Sequence, residues 1–262
     1  MTPVHPHWRD LKMVEKMRAD QLVVARGLAP SRAKAQAYIM AGIVFSGTKK
    51  IDKAGAQLAG DAPLDVRTKE HPWVSRGGLK LDQAITEFSL DVTGRTVIDV
   101  GASTGGFTDV CLHYGAEKVY AVDVGHGQLD WKLRQDERVV VLEKTNARYL
   151  SAQHIPSPVQ MIVCDASFIG LQTLLPAPMS FAADGCILVA LIKPQFEVGK
   201  GNVGKGGVVR DPELHAQVCQ KITDWITKER AGWTVLGLTT SPIKGPEGNV
   251  EFLIVAEYRR CG

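Results

Sequence analysis

A glycine-rich turn follows an aspartate in IDVGASTGGFTDVCL, residues 98–112. That order of residue types is one that cradles a ligand at the end of a strand. The turn reads Gly101-Ala-Ser-Thr-Gly105-Gly106. A dinucleotide turn requires G-x-G-x-x-G, and Ser103 stands where its second glycine belongs. A triphosphate loop requires G-x-x-x-x-G-K-[ST], and this turn has no lysine. S-adenosylmethionine has no phosphate. It needs room for a sulfonium and an amino-acid end, and a carboxylate for its ribose hydroxyls. Asp123 in YAVDVG, 22 residues after Gly101, closes the next strand and can supply that carboxylate. Dehydrogenases share such an acid, so the glycine spacing decides, and it favours the sulfonium cofactor over the nicotinamide. The candidate cofactor residues are Gly101, Ser103, Gly105, Gly106 and Phe107 in the turn, Asp123 for the ribose, and Asn146 in EKTNAR on the adenine side.

Other polar residues interrupt or close apolar runs, where an ionisable group is costly unless it is paired or functional. Asp165 follows MIVC, and Lys193 follows ILVALI. Glu251 begins the closing strand; if that strand runs antiparallel beside the one ending at Lys193, the two residues lie near each other. Lys80, in SRGGLKLD, falls in a helix just before the first strand. A second glycine-rich stretch, GKGNVGKGG at 199–207, nearly spells a triphosphate loop, but Gly206 occupies the place of the magnesium-binding Ser or Thr. It reads as a basic lid. No His/Cys cluster has metal-ligand spacing, so no metal is expected.

The elements that must position these groups alternate. TVIDVGA, KVYAVDVG, RVVVLEK, QMIVCDAS and CILVALIKPQF read as strands, with helices at GGFTDVCLHYG and DPELHAQVCQKITDWITKERAG. Continuous Val/Ile/Leu runs mean strands buried on both faces, hence a parallel sheet covered by helices. WTVLGLTTS and NVEFLIVAEYR close the sheet as an antiparallel pair. The chain of 262 residues is 45% hydrophobic, with no run long enough to span a membrane and no secretory leader. Five scattered cysteines fit reduced thiols in a cytoplasm. Residues 1–74 hold twelve Lys/Arg against seven Asp/Glu, a net of +5, while the remainder holds nineteen against twenty-one, a net of −2. A basic front end suggests an anionic partner.

In that front end, RADQLVVARGLAPSRAKAQAYIMAGIVFSGTKKIDKAG is similar to the αL RNA-binding motif of a small-subunit ribosomal protein and many pseudouridine synthases. The resemblance implies that Arg32, Lys34, Lys49 and Lys50 contact RNA phosphates. Arg32 and Lys34 also sit in a first helical turn, where cations oppose the dipole and an external anion would suit them. From about Trp73 to Tyr258, the motifs VSRGGLKL, DVGASTGGFTD, AVDVGHGQL, CDASFI, IKPQFE, GKGGVVRD and GNVEFL resemble the TlyA family, whose members carry haemolysin and ribosomal RNA methyltransferase names and are related to the FtsJ ribose methyltransferases. The resemblance implies an α/β, Rossmann-like class I S-adenosylmethionine-dependent methyltransferase with a seven-stranded sheet and an antiparallel last strand. A small α+β RNA-binding domain would precede it.

The expected division is an extension (1–17), the RNA-binding domain (18–67), a linker (68–76) and the methyltransferase domain (77–262). The resemblance further implies a Lys-Asp-Lys-Glu tetrad of Lys80, Asp165, Lys193 and Glu251. A ribose 2′-hydroxyl is a poor nucleophile that must lose its proton as it attacks. An amine can take it only when burial or a neighbouring cation lowers its pKa enough to leave it neutral. Lys193 is then the base, Lys80 and Glu251 steer the hydroxyl, and Asp165 lies between the tetrad and the methyl donor. The expected partners are ribosomal RNA or ribosomal subunits, with cytidine riboses as the targets, and no membrane. A membrane-active haemolysin and a non-catalytic assembly factor are the competing readings.

Overall fold

The computed structural model describes residues 15–66, 71–245 and 247–260. Residues 1–14 of the expected extension, residues 67–70 around the expected linker, and Cys261 lie outside the described residues. The chain divides into two compact units, residues 1–72 and 73–262.

The first unit opens with β1 (Lys16–Arg18), α1 (Ala19–Ala25) and α2 (Arg32–Met40). Ser31 caps α2 by accepting from the Lys34 N–H at 3.2 Å. Short strands follow: β2 (Val44–Ser46), β3 (Lys49–Lys50), β4 (Gln57–Ala59) and β5 (Leu64–Val66). β2 lies between β3 and β5, and β1 pairs with β4. Val23, Ala35, Ile39, Val44 and Ile51 form the core. Asp20 is fully buried, and its carboxylate accepts from Arg18 Nε (3.0 Å), Arg32 Nε (2.8 Å) and Gln36 Nε2 (2.9 Å). The Arg18 guanidinium, helped by Gln36 and Arg32, holds that carboxyl well below the usual carboxylate range against the opposing effect of burial.

Arg32 already has one internal anion, Asp20, while its side chain stays 52% exposed. Lys34 stacks over the Tyr38 ring at 5.5 Å. Lys49 and Lys50 are exposed on β3, and the Lys50 ammonium lies against Gly42, just beyond the C-terminus of α2, where a cation is favoured.

The second unit starts at Trp73, ahead of the expected start at Gly77. The Trp73 side chain is 5% exposed and packs edge-on against His113. A Cβ on Gly78 would come within 2.5 Å of its ring, so the indole occupies that space. The unit comprises α3 (Gly78–Glu87), β6 (Thr96–Val100), α4 (Gly106–His113), β7 (Lys118–Val122), α5 (Trp131–Arg134), β8 (Val139–Leu142), β9 (Val159–Cys164), α6 (Leu171–Leu174), α7 (Pro176–Met179), β10 (Ala182–Ile192), α8 (Pro194–Glu197), α9 (Pro212–Glu229), β11 (Trp233–Thr240) and β12 (Phe252–Tyr258). The sheet runs β11-β12-β10-β9-β6-β7-β8. β12 is antiparallel to both neighbours, and the pairs from β10 through β8 are parallel.

The inner strands are largely apolar because successive residues face opposite cores. Ile98, Ile162, Leu188 and Ile254 point to one side, where α9 packs Val218, Ile222, Trp225 and Ile226 at helical spacing. Val97, Met161, Val189 and Leu253 point to the other, under α3 and α4. Asp211 caps α9 by accepting from the Glu213 N–H at 2.9 Å, with Pro212 at the first helical position. Strand order reverses between β6 and β9, the position at which open α/β sheets bind ligands beyond their strand ends.

Candidate active site

Four polar side chains converge at that reversal, each delivered by the end of a different element. Leu81, Ala84 and Ile85 face the core from α3, and Lys80 lies beside them on the same helix. Asp165 is the first residue past β9, held by its N–H to the Val100 carbonyl at 3.1 Å. Lys193 is the first residue past β10, and Glu251 the last before β12. The pairing of Ile192 with Phe252 makes those two ends neighbours.

Lys80 Nζ lies 2.7 Å from Glu251 Oε2 and 3.2 Å from Asp165 Oδ2. Lys193 Nζ lies 2.6 Å from Asp165 Oδ1, and it also donates to the Asp165 carbonyl at 3.2 Å and to Ser167 Oγ at 2.9 Å. The order is Glu251–Lys80–Asp165–Lys193, two ammonium groups alternating with two carboxylates. Lys80, Lys193 and Glu251 are 6%, 7% and 1% exposed, a burial that charges tolerate only when paired and bonded. Glu251 spends its carboxylate on Lys80, because the α3 side chain enters beside it. Asp165 bridges the two lysines.

These four line a cleft of about 390 Å³ together with Gly101, Ser103, Gly106 and Phe107. Phe107 borders it while 3% exposed, with most of its ring in the core. A second cavity of about 220 Å³ shares Gly101 and Ser167 with the first and holds Asp123 and Asn146. Gly101 has φ +82°, and a Cβ there would stand 2.8 Å from the Ala166 Cα. At Gly106 a Cβ would meet Ser75 Oγ at 2.4 Å and the Gly78 N at 2.9 Å. Gly105 lines neither cavity; its left-handed φ of +94° and the Leu133 side chain packed on it explain the residue. Asp123 accepts from the Ser103 N–H (2.8 Å) and the Gly125 N–H (2.6 Å), so it fixes the turn and the following loop and keeps further lone pairs for a ligand. Asn146 accepts from the Arg148 N–H at 3.1 Å. His126 is exposed and bonds Glu143 at 2.9 Å. Backbone donation from Gly127, helped by Arg134 and His126, pulls the Glu143 carboxyl down to about 2.

Beneath the glycine turn, Asp99 is fully buried and accepts from Thr108 Oγ1 at 2.6 Å. Burial pushes its carboxyl up to about 7, with Asp165 and Asp123 adding to the rise and Thr108 opposing it. Because the folded pKa is raised, the folded state holds a proton that the unfolded chain has released. This carboxyl therefore costs stability progressively as pH rises from about 4 to about 7, and the full cost remains above that. The expected result is that Asp99→Asn, neutral at every pH, stabilises the unliganded protein by about 2–4 kcal/mol at pH 8 and by little at pH 4. Thermal melts of both proteins at the two pH values check it.

Two residues near the site carry no signal strong enough to be picked from sequence. Ser167 donates no recognisable motif beyond CDASFI, yet its hydroxyl orients Lys193. Phe168 is 91% exposed with φ +66°, an unusual conformation for an aromatic residue. Its ring lies 5.2 Å from that of Phe196. It borders a third cavity of about 250 Å³ that also reaches Lys193 and Glu251. Among the described residues, no three His, Cys, Asp or Glu side chains gather to hold a metal, and no helix is long and apolar enough to cross a membrane.

Residues 73–258, which contain every group of the cleft, match the FtsJ-like methyltransferase family. This chain belongs to that family. The FtsJ-like unit is preceded by a match to the S4 domain over residues 17–62. The 16S/23S rRNA (cytidine-2′-O)-methyltransferase TlyA of Mycobacterium tuberculosis is 47% identical over 243 residues, covering 92% of this chain and 90% of that one. Hemolysin A of Brachyspira hyodysenteriae is 41% identical over 241 residues, covering 90% and 98%. A solved structure from Streptococcus thermophilus that carries a hemolysin name superposes with TM-score 0.70 at 42% identity, covering 94% of this chain and 90% of that one. The chain is thus an FtsJ-like enzyme with an α/β methyltransferase sheet and an S4 domain.

Proposed function

We propose that this FtsJ-like enzyme methylates ribose 2′-hydroxyls of ribosomal RNA, on cytidine, with S-adenosylmethionine as donor. The observation that carries the reading is the Glu251–Lys80–Asp165–Lys193 array on the wall of a cleft whose floor is a glycine cradle. The 47% identity to a relative named for cytidine 2′-O-methylation supports the substrate.

The cofactor fits the residues present. Gly101 packs against Ala166, and Gly106 against Ser75 and Gly78, too closely to admit a Cβ, which keeps the turn tight, and the two cavities that meet at Gly101 can take its two ends. The turn from Gly101 to Gly106 would hold the amino-acid end, Asp123 the ribose, and Asn146 would border the adenine. When bound, the group supplies an electrophilic methyl on a cationic sulfur. Lys193, as the neutral amine left once its ammonium proton is released to solvent, would take the hydroxyl proton at Nζ while the oxygen takes the methyl, and the donor would leave as the neutral thioether. Asp165 and Ser167 aim that nitrogen, while Lys80, held by Glu251, orients the oxygen. Alignment of the reacting atoms contributes the rest of the acceleration.

The test is methyl incorporation from labelled S-adenosylmethionine into ribosomal subunits from cells lacking the protein. Incorporation into RNA supports the reading; none into either subunit or free RNA ends it.

Phe168 gives the target base an exposed aromatic face beside Lys193. Phe168→Ala is expected to raise the KM for RNA about tenfold and to leave the S-adenosylmethionine Kd unchanged, the size of one lost base–aromatic stack. Steady-state kinetics with each substrate varied in turn check it.

A further inference from the structure

We infer that Asn249 is a positioning residue that ties the glycine-rich segment 199–207 to the loop carrying Glu251, and so sets one wall of the nucleotide side of the cleft. The inference rests on the reading that this cavity receives the target nucleoside.

Asn249 is 1% exposed, and both ends of its amide are used. Its Oδ1 accepts from the Val209 N–H at 2.9 Å, and its Nδ2 donates to the Gly207 carbonyl at 2.9 Å. On its own loop, the Asn249 carbonyl accepts from the Gly245 N–H at 2.9 Å. Gly245 in turn lies so close to Glu251 that a Cβ there would stand 2.7 Å from Oε1. One side chain therefore joins the end of the glycine-rich segment to the loop that aims a charged group at the site.

Among the described residues, the other hydrogen bonds of the segment are local, from Asn202 to the Gly199 and Val198 carbonyls and between Gly204 and Val208 or Gly207. The segment contains two short 3-10 turns, Lys200–Asn202 and Lys205–Gly207. Positions where a Cβ would meet nothing within 4 Å include Gly199, Gly201, Gly206 and Gly207, and three of these have φ between +76° and +78°. Glycines in such conformations give the backbone maximal freedom, so the segment takes its place from its ends. Val209, the first firmly seated residue after it, is 2% exposed, and its carbonyl lies 2.9 Å from His215 Nε2. Val203 and Gly207 face the cavity of about 250 Å³ on the side of Asn249, with Phe168 and Phe196 also lining it and Lys193 and Glu251 reaching it. Buried polar groups need partners inside, and the two bonds that the Asn249 amide makes fix a wall against the site. The cofactor residues Gly101, Gly106 and Asp123 have no part in this contact.

The test uses the full chain with Asn249→Ala and Asn249→Asp. Asp keeps the acceptor for Val209 but loses the donor to Gly207. For Ala, kcat/KM on ribosomal subunits is expected to fall about thirtyfold, with a fall of about tenfold for Asp. The S-adenosylmethionine Kd, by calorimetry, is expected to stay within about twofold of wild type in both. Hydrogen exchange is expected to accelerate about tenfold over residues 199–209 and nowhere near Gly101. Activity within about threefold of wild type in both variants overturns the inference, as does cofactor affinity that falls in step with activity. If Asn249→Ala fails to fold, the near-isosteric Asp variant decides by the same three readouts. If the wild type itself does not methylate RNA, the functional reading fails. Exchange still decides the tie: acceleration confined to 199–209 sustains it, and unchanged protection there removes it.

Discussion

Lys193→Met is expected to lower methyl transfer to ribosomal subunits about a thousandfold and to leave the S-adenosylmethionine Kd within about threefold of wild type. The size follows from what the residue contributes. A positioned base supplies about a hundred- to ten-thousandfold, and an attacking hydroxyl without one must release its proton to water in a closed site. Methionine keeps the apolar stem and volume of lysine and removes only the nitrogen, so the packing around a 7% exposed side chain survives. The loss is expected in kcat, because the nitrogen acts on a proton in flight and not on the bound cofactor. Asp165 then keeps Lys80 as its cation at 3.2 Å. A variant within about tenfold of wild type in single-turnover rate removes Lys193 from the chemistry.

Glu251→Leu is expected to destabilise the second unit by about 3 kcal/mol, and the double variant Lys80→Met/Glu251→Leu to recover most of that loss without recovering activity. Removing one member of a buried ion pair strands the other, and Lys80 is 6% exposed with only Asp165 left to it. Removing both replaces two desolvated charges with apolar groups, which is commonly neutral or stabilising. For a unit of this size the single variant melts about 6–12 °C lower. The contrast separates two reasons for keeping the pair. If it is kept for stability, the double variant melts at least as low as the single. If it is kept for chemistry, melting recovers and methyl transfer stays absent. Calorimetric melts at one pH, paired with the labelled-methyl assay, make the comparison.

Much of this site is legible in the residues because its geometry is a consequence of strand order. Apolar runs such as CILVALI and MIVC are readable as doubly buried strands. The charged residue ending each run is then readable as a group at the ligand edge of the sheet. The register of β10 against β12 brings Lys193 and Glu251 to one edge, as an antiparallel last strand requires. The partners within the array are not legible: Glu251 turns to Lys80 because a side chain from α3 arrives there, a tertiary fact with no local signal. The same holds for Arg32, whose charge is met by Asp20 twelve residues earlier on another helix. β1, β4 and β5 are three residues each, too short for any alternation to show. Phe168 escapes notice because an exposed aromatic in a left-handed conformation is set by its surroundings, and CDASFI alone reads as a strand end. Trp73 sits in a polar, proline-containing stretch that reads as linker, yet its indole is core.

The measurement that bears most directly on the account is the position of the methyl group on the product. Ribosomal RNA methylated by the wild-type protein is digested to nucleosides and analysed by mass spectrometry. The account predicts a 2′-O-methylated nucleoside, cytidine, that disappears with Lys193→Met. A methyl group on a base, or a ribose methyl that persists undiminished in that variant, contradicts it.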